Sequence, residues 1–167
     1  IMKVSCVIPA FNEESTIINV IKNVKKVRAI DEIIVVDDGS TDNTYKNAKS
    51  ERVRVIKHNQ NMGKGAAIKT GVSNSSGDIV LFLDADSYSI SPKKIASILQ
   101  PLENDEADFV KTSFMRARGR VTELVVKPLF KVIFPFIKFN QPLSGQFAIK
   151  RDLIKGLKID DKYCFNQ

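Results

Sequence analysis

The chain has 167 residues, 43% hydrophobic and 27% charged, enough to bury one substantial core and too few for two ordinary domains. No long charge block or low-complexity tract interrupts it, so the composition excludes a disordered chain. The formal net charge of +7 is uneven, because Lys111, Arg116, Arg118, Arg120, Lys127 and Lys131 face only Glu123, a local excess of +5. Such a cluster suits phosphate on a nucleic acid, an anionic membrane or a small phosphorylated molecule.

Short β-branched runs alternate with helical patterns from the first residues onward. Val4–Ile8 predicts a strand that runs straight into a polar loop, which argues against a secretory signal. In the first helix Ile17, Val20, Ile21, Val24 and Val27 share one face, with Asn12 as the expected cap and Glu13 and Glu14 beside the positive end of the dipole. A second strand, Ile33–Val36, leads into Asp37-Asp38-Gly39-Ser40, and a second helix opens after Ser40 or Asp42. The third strand, Val53–Ile56, is finished by His58, and Asn61-Met62-Gly63-Lys64-Gly65 turns into a third helix near Lys64. The fourth strand, Ile79–Leu83, ends in Asp84-Ala85-Asp86. Ser91 caps a fourth helix with Pro92 at its first position and Ile95, Ile98, Leu99 and Leu102 on its apolar face. Phe109–Val110 and its flanks predict a fifth strand.

This order predicts an α/β fold: a three-layer sandwich with a mostly parallel central sheet and a Rossmann-like nucleotide-binding half, the four early strands being buried. Further on, Leu124 to Phe139 is apolar but broken by Lys127, Pro128, Lys131, Pro135 and Lys138, which excludes a simple membrane span. Its lysines fall on one side of a helix, an arrangement that suits an anionic membrane surface, the core or a subunit contact, so peripheral membrane contact and homodimerisation stay open. Cys6 and Cys164 form no C-x-x-C pair, so neither a disulfide framework nor a zinc site is signalled, and a cytoplasmic location fits.

In a parallel sheet ligands bind outside the carboxyl ends of the strands. Residues 12–14, 37–40, 59–65 and 84–86 would therefore share one edge. Asp84 and Asp86, leaving a buried strand two residues apart, suit Mg²⁺ or Mn²⁺ shared with phosphate oxygens, or a solvated turn before the next helix. Asp38 can accept the N3 proton of a uracil or the hydroxyls of a ribose, or can belong to an ordinary turn. Lys64 between two glycines at a helix start suits an anion, or a flexible turn; the string is not a Walker motif, so an NTPase is not supported.

Together P-A-F-N-E, V-V-D-D-G-S-T-D-x-T, N-x-G-K-G-x-A-I-K-x-G and S-G-D-I-V-L-F-L-D-A-D resemble the nucleotide-sugar-binding half of A-fold, family-two-like glycosyltransferases. The resemblance implies that Pro9, Ala10, Phe11, Glu13 and Asp38 surround the nucleoside and that Gly63 and Lys64 lie near base and phosphates. It makes Asp86 the principal metal ligand, with Asp84 and Ala85 beside it. Asp108-Phe-Val-Lys-Thr-Ser-Phe, Gly119-Arg-Val-Thr-Glu-Leu and Gln141-Pro-Leu-Ser-Gly-Gln-Phe-Ala resemble glucosyl-3-phosphoglycerate synthases and their mannosylglycerate-forming relatives. That similarity implies acceptor contacts from Arg120, Thr122, Ser144 and Gly145.

The expected division is a nucleotide-sugar-binding half over 1–86 and an acceptor-side half over 87–167 within a single domain. The related enzymes continue with an acidic residue where this chain has Asn166, and later with a histidine that ligates the metal, so the chain is expected to lack a C-terminal part. An amide cannot act as a general base. The implied reaction is metal-dependent transfer of a hexose, glucose, from UDP-glucose or a GDP-sugar to a small phosphorylated or carboxylated acceptor such as 3-phosphoglycerate, with retention of configuration. The alternatives are a polyprenyl-phosphate glycosyltransferase at the membrane surface and a non-catalytic nucleotide-sugar-binding module. Nucleic acid ranks last, since the basic cluster lacks interleaved aromatic residues.

Overall fold

Every residue of the first strand, β1 (Val4–Ala10), is buried, and alternate side chains enter two separate cores, as the two-residue period of a strand requires. A computed structural model of the chain describes residues 2–112 and 146–154. The remaining elements are α1 (Ile17–Lys25), β2 (Glu32–Asp37), α2 (Thr44–Ser50), β3 (Arg54–Lys57), α3 (Lys64–Ser73), β4 (Ile79–Phe82), α4 (Pro92–Glu103), β5 (Phe109–Lys111), β6 (Phe147–Lys150) and α5 (Arg151–Ile154).

The six-stranded sheet has the order β3-β2-β1-β4-β6-β5. The first four strands in that order are parallel, and β6 runs antiparallel to both β4 and β5. On one face Val4, Cys6, Ile8, Ala10, Val35, Ile79 and Leu81 pack with Ile17, Val20, Ile21 and Val24 of α1 and Ile95, Ile98, Leu99 and Leu102 of α4. On the other, Val7, Val80, Phe82 and Ile149 pack with Ile68 and Val72 of α3 and Ile154 of α5, while Ile34 and Val36 pack with Ala67. The predicted three-layer α/β sandwich is the observed architecture, and burial pushes the Cys6 thiol far above its ordinary pKa. Among the described residues no helix is long and apolar enough to cross a membrane.

Three local expectations are corrected. Asn12 does not cap α1: it adopts φ 54°, and the helix begins at Ile17 behind Thr16 with no acidic residue in its first turn. The third strand is not buried. It is the sheet edge, and Arg54 and Lys57 are exposed there. That strand ends at Lys57, although the N–H of His58 still donates to the Asp37 carbonyl at 2.9 Å. The second helix opens at Thr44, after Asp42 as expected. The fourth helix matches its prediction, because the Ser91 hydroxyl accepts from the Lys94 N–H and Pro92 occupies the first turn.

Candidate active site

From β1 the chain winds outward through β2 and β3, then crosses back to β4 on the other side of β1. This reversal opens a crevice between the carboxyl ends of β1 and β4, where open α/β sheets bind ligands. The Leu83 N–H donates to the Val7 carbonyl at 3.2 Å; the next rung would need an N–H from residue 9, and Pro9 has none. Pairing stops there. The chain after β4 is released as the turn Asp84-Ala85-Asp86, with Asp84 half-buried, Ala85 buried and Asp86 exposed.

The loop after β1 is tied to the loop after β2. The Ala10 carbonyl accepts the Asp38 N–H at 2.8 Å, and beyond it Phe11 is exposed. The Asn12 N–H donates to the Ser40 hydroxyl at 2.9 Å and its side-chain oxygen accepts the Thr41 N–H at 3.0 Å. The Glu13 N–H donates to the Thr44 hydroxyl at 2.7 Å, while its carboxylate accepts the Thr16 hydroxyl at 2.7 Å. Asp42 completes the lacing. Burial opposes its ionised form, but hydrogen bonds from the Thr44 hydroxyl and N–H and from the Glu14 N–H outweigh burial and hold the carboxyl below its usual range.

Asp37 and Asp38 are both buried. Asp37 Oδ1 accepts the Ser40 N–H at 3.2 Å, and its Oδ2 lies 3.8 Å from Lys57 Nζ. Asp38 turns toward the loop after β3: Oδ1 meets His58 Nδ1 at 2.6 Å and the Met62 N–H at 3.0 Å, and Oδ2 accepts the Gly63 N–H at 2.8 Å. An ionised carboxylate can only accept, and against one the donor in this pair is His58 Nδ1. His58 Nε2 reaches the Thr70 hydroxyl on α3 at 2.9 Å. Gly39, at φ +75°, lets the two loops touch, since a Cβ there would lie 2.4 Å from the Gln60 backbone. The carboxylate expected from sequence to read a nucleobase thus shapes the glycine loop in this structure.

Gly63 and Lys64 start α3 next to that carboxylate, and the Lys64 ammonium reaches across the crevice to an ion pair with Asp84 Oδ1. The structure therefore brings the glycine loop and the Asp84-Ala85-Asp86 turn together. Behind the turn, the buried Gln146 donates its side-chain amide to the Ser87 hydroxyl, and its backbone carbonyl accepts the Thr112 N–H and hydroxyl at 3.1 Å each. Hard carboxylate oxygens that already draw a cation suit Mg²⁺ or Mn²⁺. Among the described residues no group of three His, Cys, Asp or Glu gathers. Arg120, Thr122, Ser144, Gly145, the 124–139 segment, Cys164 and Asn166 lie outside the described residues. His58, read from sequence only as the end of a strand, Gln146, read only as part of a family string, and Thr70, not singled out, are the residues whose partners the sequence did not show.

Residues 5–160 match the model of glycosyl transferase family 2. The chain belongs to that family. This family 2 chain is 35% identical to glucosyl-3-phosphoglycerate synthase of Mycobacterium tuberculosis, an alignment covering 96% of the chain and 57% of the relative. A crystal structure of the M. tuberculosis enzyme in complex with Mn²⁺, uridine-diphosphate-glucose and phosphoglyceric acid superposes with a TM-score of 0.83 at 35% identity, over 93% of this chain and 59% of that one. UDP-N-acetylglucosamine–dolichyl-phosphate N-acetylglucosaminyltransferase of Methanococcus voltae is 39% identical over 62% of the chain and 49% of its own length. The family 2 chain thus spans less than two thirds of these relatives.

Proposed function

We propose that the chain is the donor-binding core of a metal-dependent glycosyltransferase that moves glucose from UDP-glucose, or a hexose from a GDP-sugar, to a small anionic acceptor such as 3-phosphoglycerate. The observation that carries this reading is the convergence of Asp84, Lys64 and the glycine loop at the β1/β4 crevice. Asp86 is exposed at the turn and would be the principal ligand of Mg²⁺ or Mn²⁺, with Asp84 beside it. When bound, that cation supplies positive charge to the departing diphosphate. Pro9 and Ala10 at the end of β1 and Phe11 and Glu13 in the loop after it would border the nucleoside, and Asp38, which fixes the glycine loop, would set the Gly63–Lys64 helix start toward phosphate. Arg120, Thr122, Ser144 and Gly145 are the proposed acceptor contacts, a guanidinium being suited to bidentate pairing with phosphate or carboxylate.

A polyprenyl-phosphate acceptor is the second reading, and the M. voltae similarity favours it. That similarity covers 62% of the chain, whereas the similarity to the phosphoglycerate enzyme covers 96% and so includes the acceptor-side half. The small acceptor is preferred for that reason. Labelled UDP-glucose and GDP-sugars, offered with 3-phosphoglycerate or a polyprenyl phosphate in Mn²⁺, test the choice on a version of the chain extended to its relatives' length. Transfer to 3-phosphoglycerate is expected, with retention at the anomeric carbon read by proton NMR. Transfer to the lipid alone would replace the acceptor, and donor binding without turnover would leave a nucleotide-sugar-binding module. Asp86→Ala is expected to lower Mn²⁺-dependent donor affinity by about tenfold or more, roughly one metal–carboxylate contact, with circular dichroism unchanged; unaltered affinity would remove Asp86 from the metal site.

A further inference from the structure

Lys64 sits in a place that its assignment to phosphate does not explain. Its ammonium touches Asp84 Oδ1, on the carboxylate that the proposed function gives to a divalent cation. The pair is neither solvated nor sealed: the Lys64 side chain is 33% exposed and that of Asp84 25%. At such depth charge pairing is screened only in part. The backbone on both sides is fixed independently, because Asp38 accepts the N–H of Gly63 just before α3, and around Asp84 the Leu83 N–H donates to the Val7 carbonyl at 3.2 Å and the Ser87 N–H to the Asp84 carbonyl at 3.0 Å. The side chain can therefore move while both loops stay in place.

We propose that Lys64 is a resident counter-ion that neutralises Asp84 while the crevice is empty and passes to the diphosphate when metal and nucleotide arrive together. This inference rests on the reading of the crevice as a sugar-diphosphate site, and it follows from charge. A divalent cation alone would bring two positive charges to a carboxylate that an ammonium already covers. A nucleotide diphosphate alone would draw Lys64 away and leave two bare carboxylates facing phosphate. A divalent cation with a doubly ionised sugar diphosphate adds no net charge, and Lys64 exchanges one anionic oxygen for another. Lys64 thus couples the two ligands, favouring their joint binding over either alone, and by linkage each raises the other's affinity equally.

The test measures binding, not turnover. Mn²⁺ alone is titrated into the purified chain by electron paramagnetic resonance of the free ion, and UDP is titrated with and without Mn²⁺ by calorimetry, for wild type, Lys64→Met and Lys64→Arg. Lys64→Met is expected to bind Mn²⁺ alone about three- to tenfold more tightly and UDP with Mn²⁺ about tenfold more weakly, shifts within the usual span of site-to-site coupling. Lys64→Arg, which keeps the charge, is expected to stay near wild type for Mn²⁺ alone. Unchanged or weaker Mn²⁺ binding by Lys64→Met, in a variant with the circular dichroism of wild type and while the wild-type chain binds UDP in Mn²⁺, overturns the counter-ion role alone. A wild-type chain that binds no UDP in Mn²⁺ overturns both the role and the sugar-diphosphate reading.

Discussion

Asp38 holds the loop after β3 with three hydrogen bonds while only 3% exposed. A carboxylate so far from water needs such partners, since a buried polar group left unpaired is costly. Asp38→Asn replaces one accepting oxygen by a donor that must face His58, Met62 or Gly63. The expected loss is about 1–3 kcal/mol in urea unfolding, with faster amide exchange at Met62 and Gly63; unchanged protection of those two amides would take the loop-shaping role from Asp38. The motif itself was legible in the sequence, because two aspartates after a buried run mark a strand end. Its inward aim was not. The partners that turn the carboxylate, His58 and Thr70, come from β3's end and α3, and no local pattern ties them to residue 38. Lys64 and Asp84 are a similar case: each was legible as an anion or cation site, and only the folded chain shows that they neutralise each other.

Among the elements, α1 and α4 were legible because their apolar positions recur with one period, β4 because it is an unbroken apolar run, and α4 also because Ser91 and Pro92 mark its start. The start of α1 was misplaced for a physical reason. Asn12 in the left-handed region bonds to the loop after β2 instead of to its own helix, a tertiary partner that outweighs capping preference. β3 was legible as a strand but not as an edge, and β6 was missed because Phe147–Lys150 is short and gains its identity from pairing with β4 and β5. Close contact between α3 and β1 supports a prediction at this scale. A Cβ on Gly71 would lie 2.3 Å from Val7 Cγ1. Alanine should gain about 1 kcal/mol of helix propensity, yet overpacking against a strand held on both sides costs about 1–3 kcal/mol or more. Gly71→Ala is therefore expected to lower the melting temperature, and adding Val7→Ala to recover part of the loss. A Gly71→Ala chain that melts higher than wild type would show that α3 can move off the sheet.

Strand order is a property of the whole molecule, and alternating strands and helices do not determine it: the crevice exists only because the chain returns across β1 before forming β4. At the opposite end of the sheet, Glu32 makes a clasp of comparable reach. Its Oε1 accepts the Ser5 hydroxyl at 2.5 Å, the Ser76 N–H at 2.5 Å and the Ser76 hydroxyl at 3.0 Å, joining β1, β2 and the approach to β4. Burial opposes its ionisation, but hydrogen bonds from Ser5, Ser76 and Gly77 prevail and bring its pKa below the ordinary value of 4.5. On acidification the unfolded chain then takes up a proton at this position before the folded chain does. Stability from Glu32 is complete above the ordinary value and is lost as pH falls through the lowered folded one. Asp42, at the crevice end, is shifted in the same direction and adds to the same acid loss. The positive net charge grows as carboxylates protonate, so repulsion also destabilises the acid form. Glu32→Gln separates these effects, because it removes the local ionisation and changes the overall charge by one. Urea unfolding from about pH 3 to pH 7 should find the variant less stable than wild type by roughly 1 kcal/mol at neutral pH, and the gap should close as the wild-type carboxylate is protonated. A gap that is constant across the range would mean that the clasp works through packing and neutral hydrogen bonds alone, with no contribution from the ionised carboxylate.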